Sequence, residues 1–206
     1  MTSPTRLYLI RHGEVEERYQ KVFGGRIDME LSPRGHDQAK SLAHHLRNVR
    51  FATIYASPMK RAQQTLAPLS GHSSQPPVTV HDLREVDFGE WTGLAWHEVH
   101  ERYNISAFEW LHKLHEDAIA GAESTAKLHA RVEPCVRRIL NDCPGQNVAV
   151  VCHGGIVRMM LSILLELHIT RMSSFDVEYA SVTVVECLPH RTEVQLLNFT
   201  PWRDAL

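Results

Sequence analysis

Apolar residues in this chain fall into short runs that stop at charged or turn-forming residues. Between the runs, apolar positions recur at helical spacing. Residues 6–10 read as a first strand that halts at Arg11-His12-Gly13-Glu14. Gly24-Gly25 and Asp28 mark a loop. Ser32-Pro33 has the form of a helix start, with serine at the N-cap and proline at the first helical position. Ala39, Leu42, Ala43 and Leu46 then carry a helical face to about Arg47. Residues 51–56 form a second apolar run. Ser57-Pro58 repeats the cap-plus-proline signal and predicts a helix through Leu69, followed by a turn-rich loop over 71–77 and a short strand over 78–80. Two short helices are predicted near 94–103 and 106–117, and a long one over about 123–142, ended by Pro144-Gly145. A strand over 148–152 runs into His153-Gly154-Gly155 and a helix from Gly155 to about Leu167. The last two β-rich runs, 178–186 and 193–198, are close enough to pair as antiparallel strands at an edge.

Strands alternating with helices predict a three-layer α/β/α sandwich with a mostly parallel sheet and an antiparallel edge. A length of 206 residues suits one such domain. Residues 91–121 differ in character, holding Trp91, Trp96, Tyr103, Phe108 and Trp110 with His97, His100, His112 and His115 among them. They read as a helical cap inserted over the site. One or two of Trp91, Trp96, Tyr103 and Trp110 are expected to touch a ligand while the rest pack.

The formal net charge of −2 implies no bulk attraction to nucleic acid or to a membrane surface. No apolar run approaches the roughly 18 residues that would span a bilayer. Met1-Thr2-Ser3-Pro4-Thr5 lacks the basic and apolar regions of a signal peptide. Cys135, Cys143, Cys152 and Cys187 show no CxxC spacing and read as reduced, mostly structural thiols. A cytoplasmic protein is expected. Oligomeric state is not readable from the chain.

The chemistry concentrates where apolar runs end. Two strands that each finish in His-Gly deliver two imidazoles and at least one arginine at their carboxyl ends, which is where ligands bind in open α/β sheets. That set suits a phosphate ester. His12 could attack phosphorus only as the neutral imidazole, and the neighbouring cations disfavour its protonated form. Arg61 falls on the first turn of a helix beginning at a strand's end, where a guanidinium can fork onto two phosphate oxygens. Lys60 beside it reads as surface, and Arg84 and Arg158 read as structural. Phosphoryl transfer from an ester also needs an acid for the departing oxygen. Glu85, Asp87 and Glu90 all qualify by type, and spacing does not choose among them. His153 could donate to a non-bridging oxygen, and the backbone of Gly154-Gly155 could cradle an anion.

Taken together, Arg11-His12-Gly13-Glu14, Ser57-Pro58 with Arg61-Ala62 and Thr65, Glu85 with Phe88-Gly89-Glu90-Trp91 and Gly93, and His153-Gly154-Gly155 resemble the histidine phosphatase superfamily. This is the phosphoglycerate mutase-like fold, here in the branch of small phosphatases such as the α-ribazole phosphatases. The resemblance covers nearly the whole chain, in order. It implies a phosphoric monoester hydrolase acting on a small phosphorylated metabolite. His12 would be the nucleophile that carries a transient phosphohistidine. Arg11, Arg61 and His153 would form the phosphate pocket, and Glu85 would be the proton donor and then the base for water. It implies neither metal nor cofactor. Gly121-Ala122-Glu123-Ser124 resembles the Gly-x-Glu-Ser turn that follows the cap in this family and is expected to help build the site.

After Arg-His-Gly-Glu the family often has Thr and, three residues later, Asn. Here those positions are Val15 and Arg18. Arg18 is therefore a candidate substrate contact, with Gly24 and Gly154. The short, aromatic segment between Glu85 and His153 favours hydrolysis over phosphoglycerate mutase-type transfer. Three rival readings fit parts of the sequence. Cys152 through Arg158 formally satisfies C-x5-R, the loop of cysteine-dependent phosphatases. His97/His100 and His112/His115 have the i, i+3 spacing of metal ligands, but no Cys or clustered Asp completes a set. A pseudoenzyme that binds phosphorylated ligands without turnover would share the pocket but lack a usable nucleophile or acid, and here both are present.

Overall fold

The first strand, β1 (Thr5–Arg11), lies inside a six-stranded sheet in the order β3-β2-β4-β1-β5-β6. The computed structural model describes residues 3–204, so Met1 and Thr2 of the N-terminal segment considered above lie outside the described residues, as do Ala205 and Leu206. The other strands are β2 (Thr53–Ala56), β3 (Val78–Thr79), β4 (Asn147–Cys152), β5 (Val182–Leu188) and β6 (Arg191–Phe199). β3, β2, β4 and β1 run parallel, and β5 and β6 add the antiparallel edge. The expected mostly parallel sheet with an antiparallel edge is the one observed.

Helices cover both faces because the strands are apolar on both faces. Along β4, Val148, Val150 and Cys152 point into one core cluster, which holds Leu128, Val132, Val136 and Ile139 of α5 (Thr125–Asp142) and Ile156, Val157 and Met160 of α6 (Gly154–Leu165). Ala149 and Val151 point the other way, onto Leu42 and Ala43 of α1 (Pro33–His45) and Ala62 and Leu66 of α2 (Lys60–Leu66). The two-residue side-chain period of a strand produces this division. Residues 91–121 fold as α3 (Trp96–Tyr103), a 3-10 turn and α4 (Trp110–His115). Their buried Trp91, Val99, Leu111, Leu114 and Ile119 join the α5/α6 cluster. A short α7 (Pro201–Asp204) closes the described chain.

Several boundaries differ from the expectation. Ser32 caps α1 as expected, accepting the Gly35 N–H at 3.0 Å. Ser57-Pro58 does not start a helix. Met59 is the N-cap of α2, and the Ser57 hydroxyl accepts the Met59 N–H at 3.3 Å and faces His153. The α2 helix also stops at Leu66, and residues 67–72 tighten to a 3-10 helix that contains Pro68. The run expected to begin at 178 pairs only from Val182. Residues 178–181 are a turn in which Ala180 takes φ +50° and donates its N–H to the His12 carbonyl.

Candidate active site

Parallel pairing of β1 with β4 places Arg11 opposite Cys152, so the next residues, His12 and His153, leave the sheet side by side. The His12 N–H donates to the Cys152 carbonyl at 3.0 Å, and the two rings stand edge to face with centroids 5.2 Å apart. His12 Nδ1 lies 2.8 Å from the Gly13 carbonyl. That oxygen can only accept, so Nδ1 carries the proton and Nε2 keeps a lone pair. Arg61 Nε sits 3.2 Å from His12 Nε2 and 3.2 Å from His153 Nδ1. A guanidinium N–H can only donate, which makes both imidazole nitrogens acceptors and puts the His153 proton on Nε2, 2.8 Å from Ser57 Oγ. These tautomers follow from the hydrogen-bond network. Burial, reinforced by Arg61 and Arg11, holds both imidazoles well below the ordinary histidine pKa.

Arg61 is 2% exposed and enters from the first turn of α2. Its Nη1 donates to the Ile27 carbonyl at 2.7 Å and its Nη2 to the Gly25 carbonyl at 3.0 Å. Each of these nitrogens keeps a second N–H. Burial lowers its pKa to about 10, so it stays charged at neutral pH. Thr65 ties it to the nucleophile's strand end, donating to the Arg61 carbonyl at 2.7 Å and accepting the Gly13 N–H at 2.9 Å. Arg11 Nη1 donates to the Val177 carbonyl at 2.5 Å, and its guanidinium lies 4.1 Å from the Tyr179 ring centre. Arg11 lines the cavity, and its Nε is buried without a partner.

Glu85 lines the cavity, with Oε1 accepting the Val86 N–H at 3.0 Å and Oε2 the Gly155 N–H at 3.3 Å. A Cβ at Gly155 would stand 2.5 Å from Glu85 Oε1, so the helix must begin with glycine for the carboxylate to approach. Asp87 accepts the Gly89 N–H, and neither it nor the exposed Glu90 lines the cavity. Position thus selects among the three carboxylates that sequence left open.

The cavity, about 320 Å³, has Arg11, His12, Arg61 and Glu85 at its polar end, with Gly24, Gly154 and Gly155. Phe88, Trp96, Phe108 and Trp110 form an apolar wall. Trp91 packs instead, 1% exposed and against Phe23 and Tyr103.

Some expectations are corrected. His153 is not on the cavity wall. It is fully buried behind Arg61, held between Arg61 and Ser57. Arg18 does not line the cavity; its side chain is 69% exposed, paired with Glu16 and stacked on Tyr19. Val15 and Tyr19 occupy that part of the wall. Arg158, read as structural, does line the cavity, although its guanidinium is anchored to the carbonyls of Gly154, Met172 and Phe175. Cys152 faces the core rather than the cavity, and burial pushes its thiol far above the ordinary range, which removes the thiolate that C-x5-R chemistry needs. His115 and His168 meet edge to face, but among the described residues no group of three or more His, Cys, Asp or Glu could hold a metal ion. Tyr179, Asp176 and Glu178 also line the cavity. They arrive from the turn before β5, and no local sequence pattern marks them.

A sequence profile of the histidine phosphatase superfamily (branch 1) matches residues 7–200. Phosphoserine phosphatase 1 of Hydrogenobacter thermophilus is 31% identical over 195 residues, covering 95% of this chain and 92% of that protein. The adenosylcobalamin/α-ribazole phosphatase of Escherichia coli is 26% identical, over 94% of this chain and 95% of the relative. A mycobacterial glucosyl-3-phosphoglycerate phosphatase structure superposes with a TM-score of 0.85 at 24% identity, covering 95% and 99% of the two chains, a likeness of fold. This chain belongs to the histidine phosphatase superfamily. It is a phosphoric monoester hydrolase. Among the described residues no helix is long and apolar enough to cross a membrane.

Proposed function

We propose that this phosphatase works through a phosphohistidine on His12, without a metal or other cofactor. The observation that carries the reading is the His12 Nε2 lone pair, held neutral by burial and flanked by Arg61. In the first step that lone pair attacks phosphorus in line. The bond from phosphorus to the ester oxygen breaks, and protonated Glu85 delivers its proton to that oxygen. In the second step the Glu85 carboxylate takes a proton from water, the water oxygen attacks phosphorus, and the P–N bond breaks. Inorganic phosphate leaves and His12 is restored.

The Arg11 guanidinium, the spare N–H groups of Arg61 and the N-terminal amide of Gly154 are the donors for the phosphoryl oxygens. His153 supports them from behind, its Nδ1 accepting from the Arg61 Nε–H and its Nε2–H donating to Ser57, so that it orients Arg61 toward the phosphoryl group. The segment over 91–121 acts as a cap within a single-domain chain, its Trp96, Phe108 and Trp110 meeting the leaving group. Its aromatic residues, and not Arg102 or Lys113, line the cavity, which favours hydrolysis over mutase transfer. The similarity to phosphoserine and α-ribazole phosphatases supports a small phosphorylated metabolite as substrate, and no nucleic-acid or membrane partner is proposed. Hydrolysis of an aryl phosphate in the presence of a chelator tests the reading. Activity is expected to persist in the wild type and to vanish in His12→Ala. Full activity in His12→Ala, or loss with the chelator alone, would overturn it.

A further inference from the structure

The carboxylate of Glu85 has few restraints of its own, yet the backbone that carries it is gripped from behind. Arg131, on the second turn of α5, donates Nη1 to the Asp82 carbonyl and Nη2 to the Glu85 carbonyl at 3.3 Å. The same guanidinium pairs with Glu123, Nε to Oε1 at 2.6 Å and Nη2 to Oε2 at 2.9 Å. Both side chains are largely buried, 14% and 11% exposed. Glu123 is bound in turn to the acid loop, its N–H donating to the Asp87 carbonyl at 2.9 Å and its Oε2 facing the Asp87 N–H at 3.5 Å. Burial would raise the Glu123 pKa, but the Arg131 hydrogen bonds and the charges of Arg131 and Arg26 outweigh it and hold the carboxyl below its ordinary value.

Arg26 adds a third arm, with Nη2 3.5 Å from Glu123 Oε2. It lies between Gly25 and Ile27, whose carbonyls hold the Arg61 guanidinium. Gly25 also packs directly on the acid loop. Its φ is +46°, and a Cβ there would stand 3.2 Å from the Val86 carbonyl. One buried carboxylate therefore joins the loop that aims Glu85 to the loop that aims Arg61. Neither Arg131 nor Glu123 lines the cavity.

We propose that Arg131 and Glu123 are positioning residues for the proton donor, setting Glu85 against the phosphate-holding Arg61 without touching substrate. The planar guanidinium matters here, because it spans two carbonyls and a carboxylate at once, which an ammonium cannot do. The inference rests on Glu85 being the acid, and the test separates the two.

The quantity to measure is kcat/KM for an alkyl phosphate and an aryl phosphate, which reports only steps through leaving-group departure. It would be measured on the full chain as wild type, Arg131→Lys, Glu123→Gln, Glu85→Gln, and Arg131→Lys combined with Glu85→Gln. Arg131→Lys is expected to lower the alkyl value about tenfold to hundredfold and the aryl value less than about threefold, a fraction of what a general acid supplies. In the Glu85→Gln background the same substitution is expected to leave the alkyl-to-aryl ratio unchanged, since the group it positions is gone. Glu123→Gln provides a second, isosteric route to the same signature if Arg131→Lys folds poorly. Equal losses on both esters, or a ratio change that persists in the Glu85→Gln background, would overturn the positioning role. If Glu85→Gln itself shows no dependence on leaving group, Glu85 is not the acid, and the proposal falls with that reading.

Discussion

Arg61 Nε lies 3.2 Å from His12 Nε2, the nitrogen that keeps its lone pair because His12 Nδ1–H is bonded to the Gly13 carbonyl. A cation beside a neutral imidazole does two things. It keeps the imidazole unprotonated, and it marks where a phosphate would replace the ring nitrogen as acceptor. The same N–H reaches His153 Nδ1, so the two histidines share one donor and neither can readily take up a proton.

Stability should therefore depend on these rings. In the unfolded chain each histidine protonates near pH 6.5, whereas the native pKa values of His12 and His153 lie well below that. Their stabilising contribution is complete above pH 6.5 and is lost as pH falls from there toward the native values, by about 1.4 kcal/mol per pH unit for each proton. His153→Gln is expected to remove one proton's worth of that slope, as read by urea unfolding between pH 7.5 and 5. A slope unchanged by the substitution would mean His153 is not a buried neutral group. The nucleophile stays unprotonated by the same effect, so His12 should impose no loss of kcat/KM as pH drops through 6.5.

Glu85→Gln removes the proton donor and preserves shape. An aryl oxygen can depart as its anion, and an alkyl oxygen cannot. The expected loss in kcat/KM is on the order of 10²–10⁴ for alkyl phosphates and less than about tenfold for aryl phosphates. Equal losses on the two classes would show that Glu85 holds the phosphate rather than donating a proton.

Cys152→Ser should leave turnover within roughly threefold, because the thiol points into the core and is not ionised at neutral pH. The cost should appear in stability instead, about 1 kcal/mol for a hydroxyl in an apolar site that can still reach the His153 carbonyl. Activity lost in Cys152→Ser with fold intact would revive the thiolate reading.

Much of this was legible in the sequence because strand ends are written locally. Arg11-His12-Gly13 and His153-Gly154-Gly155 each follow an apolar run, and parallel pairing of those two runs brings them together. Arg61 was found by its place at a helix start, even though the cap was Met59 rather than Ser57. What escaped notice depends on long-range packing. Tyr179 meets Arg11 only because the turn before β5 folds back over β1, which no pattern in 176–180 announces. Arg18 was a candidate from its position after Glu14. Its exposed pairing with Glu16 could not be foreseen, because a two-residue offset does not say which side of a loop faces inward. The sequence places His153 in the phosphate pocket, and the structure buries it behind Arg61. Its burial follows from Ser57, which gave up its helix-cap role to bind the imidazole. The choice of Glu85 over Asp87 and Glu90 needed the close approach to Gly155, a contact between residues 70 apart in the chain.

The central claim is that phosphate passes through His12. Rapid mixing of the enzyme with a labelled phosphomonoester, an alkaline quench that spares phosphohistidine, and peptide mapping would locate the transient phosphoryl group. The account predicts label on the peptide bearing His12 within one turnover, and none in His12→Ala. Label on Cys152, or full turnover in the wild type with no covalent phosphate at all, would contradict it.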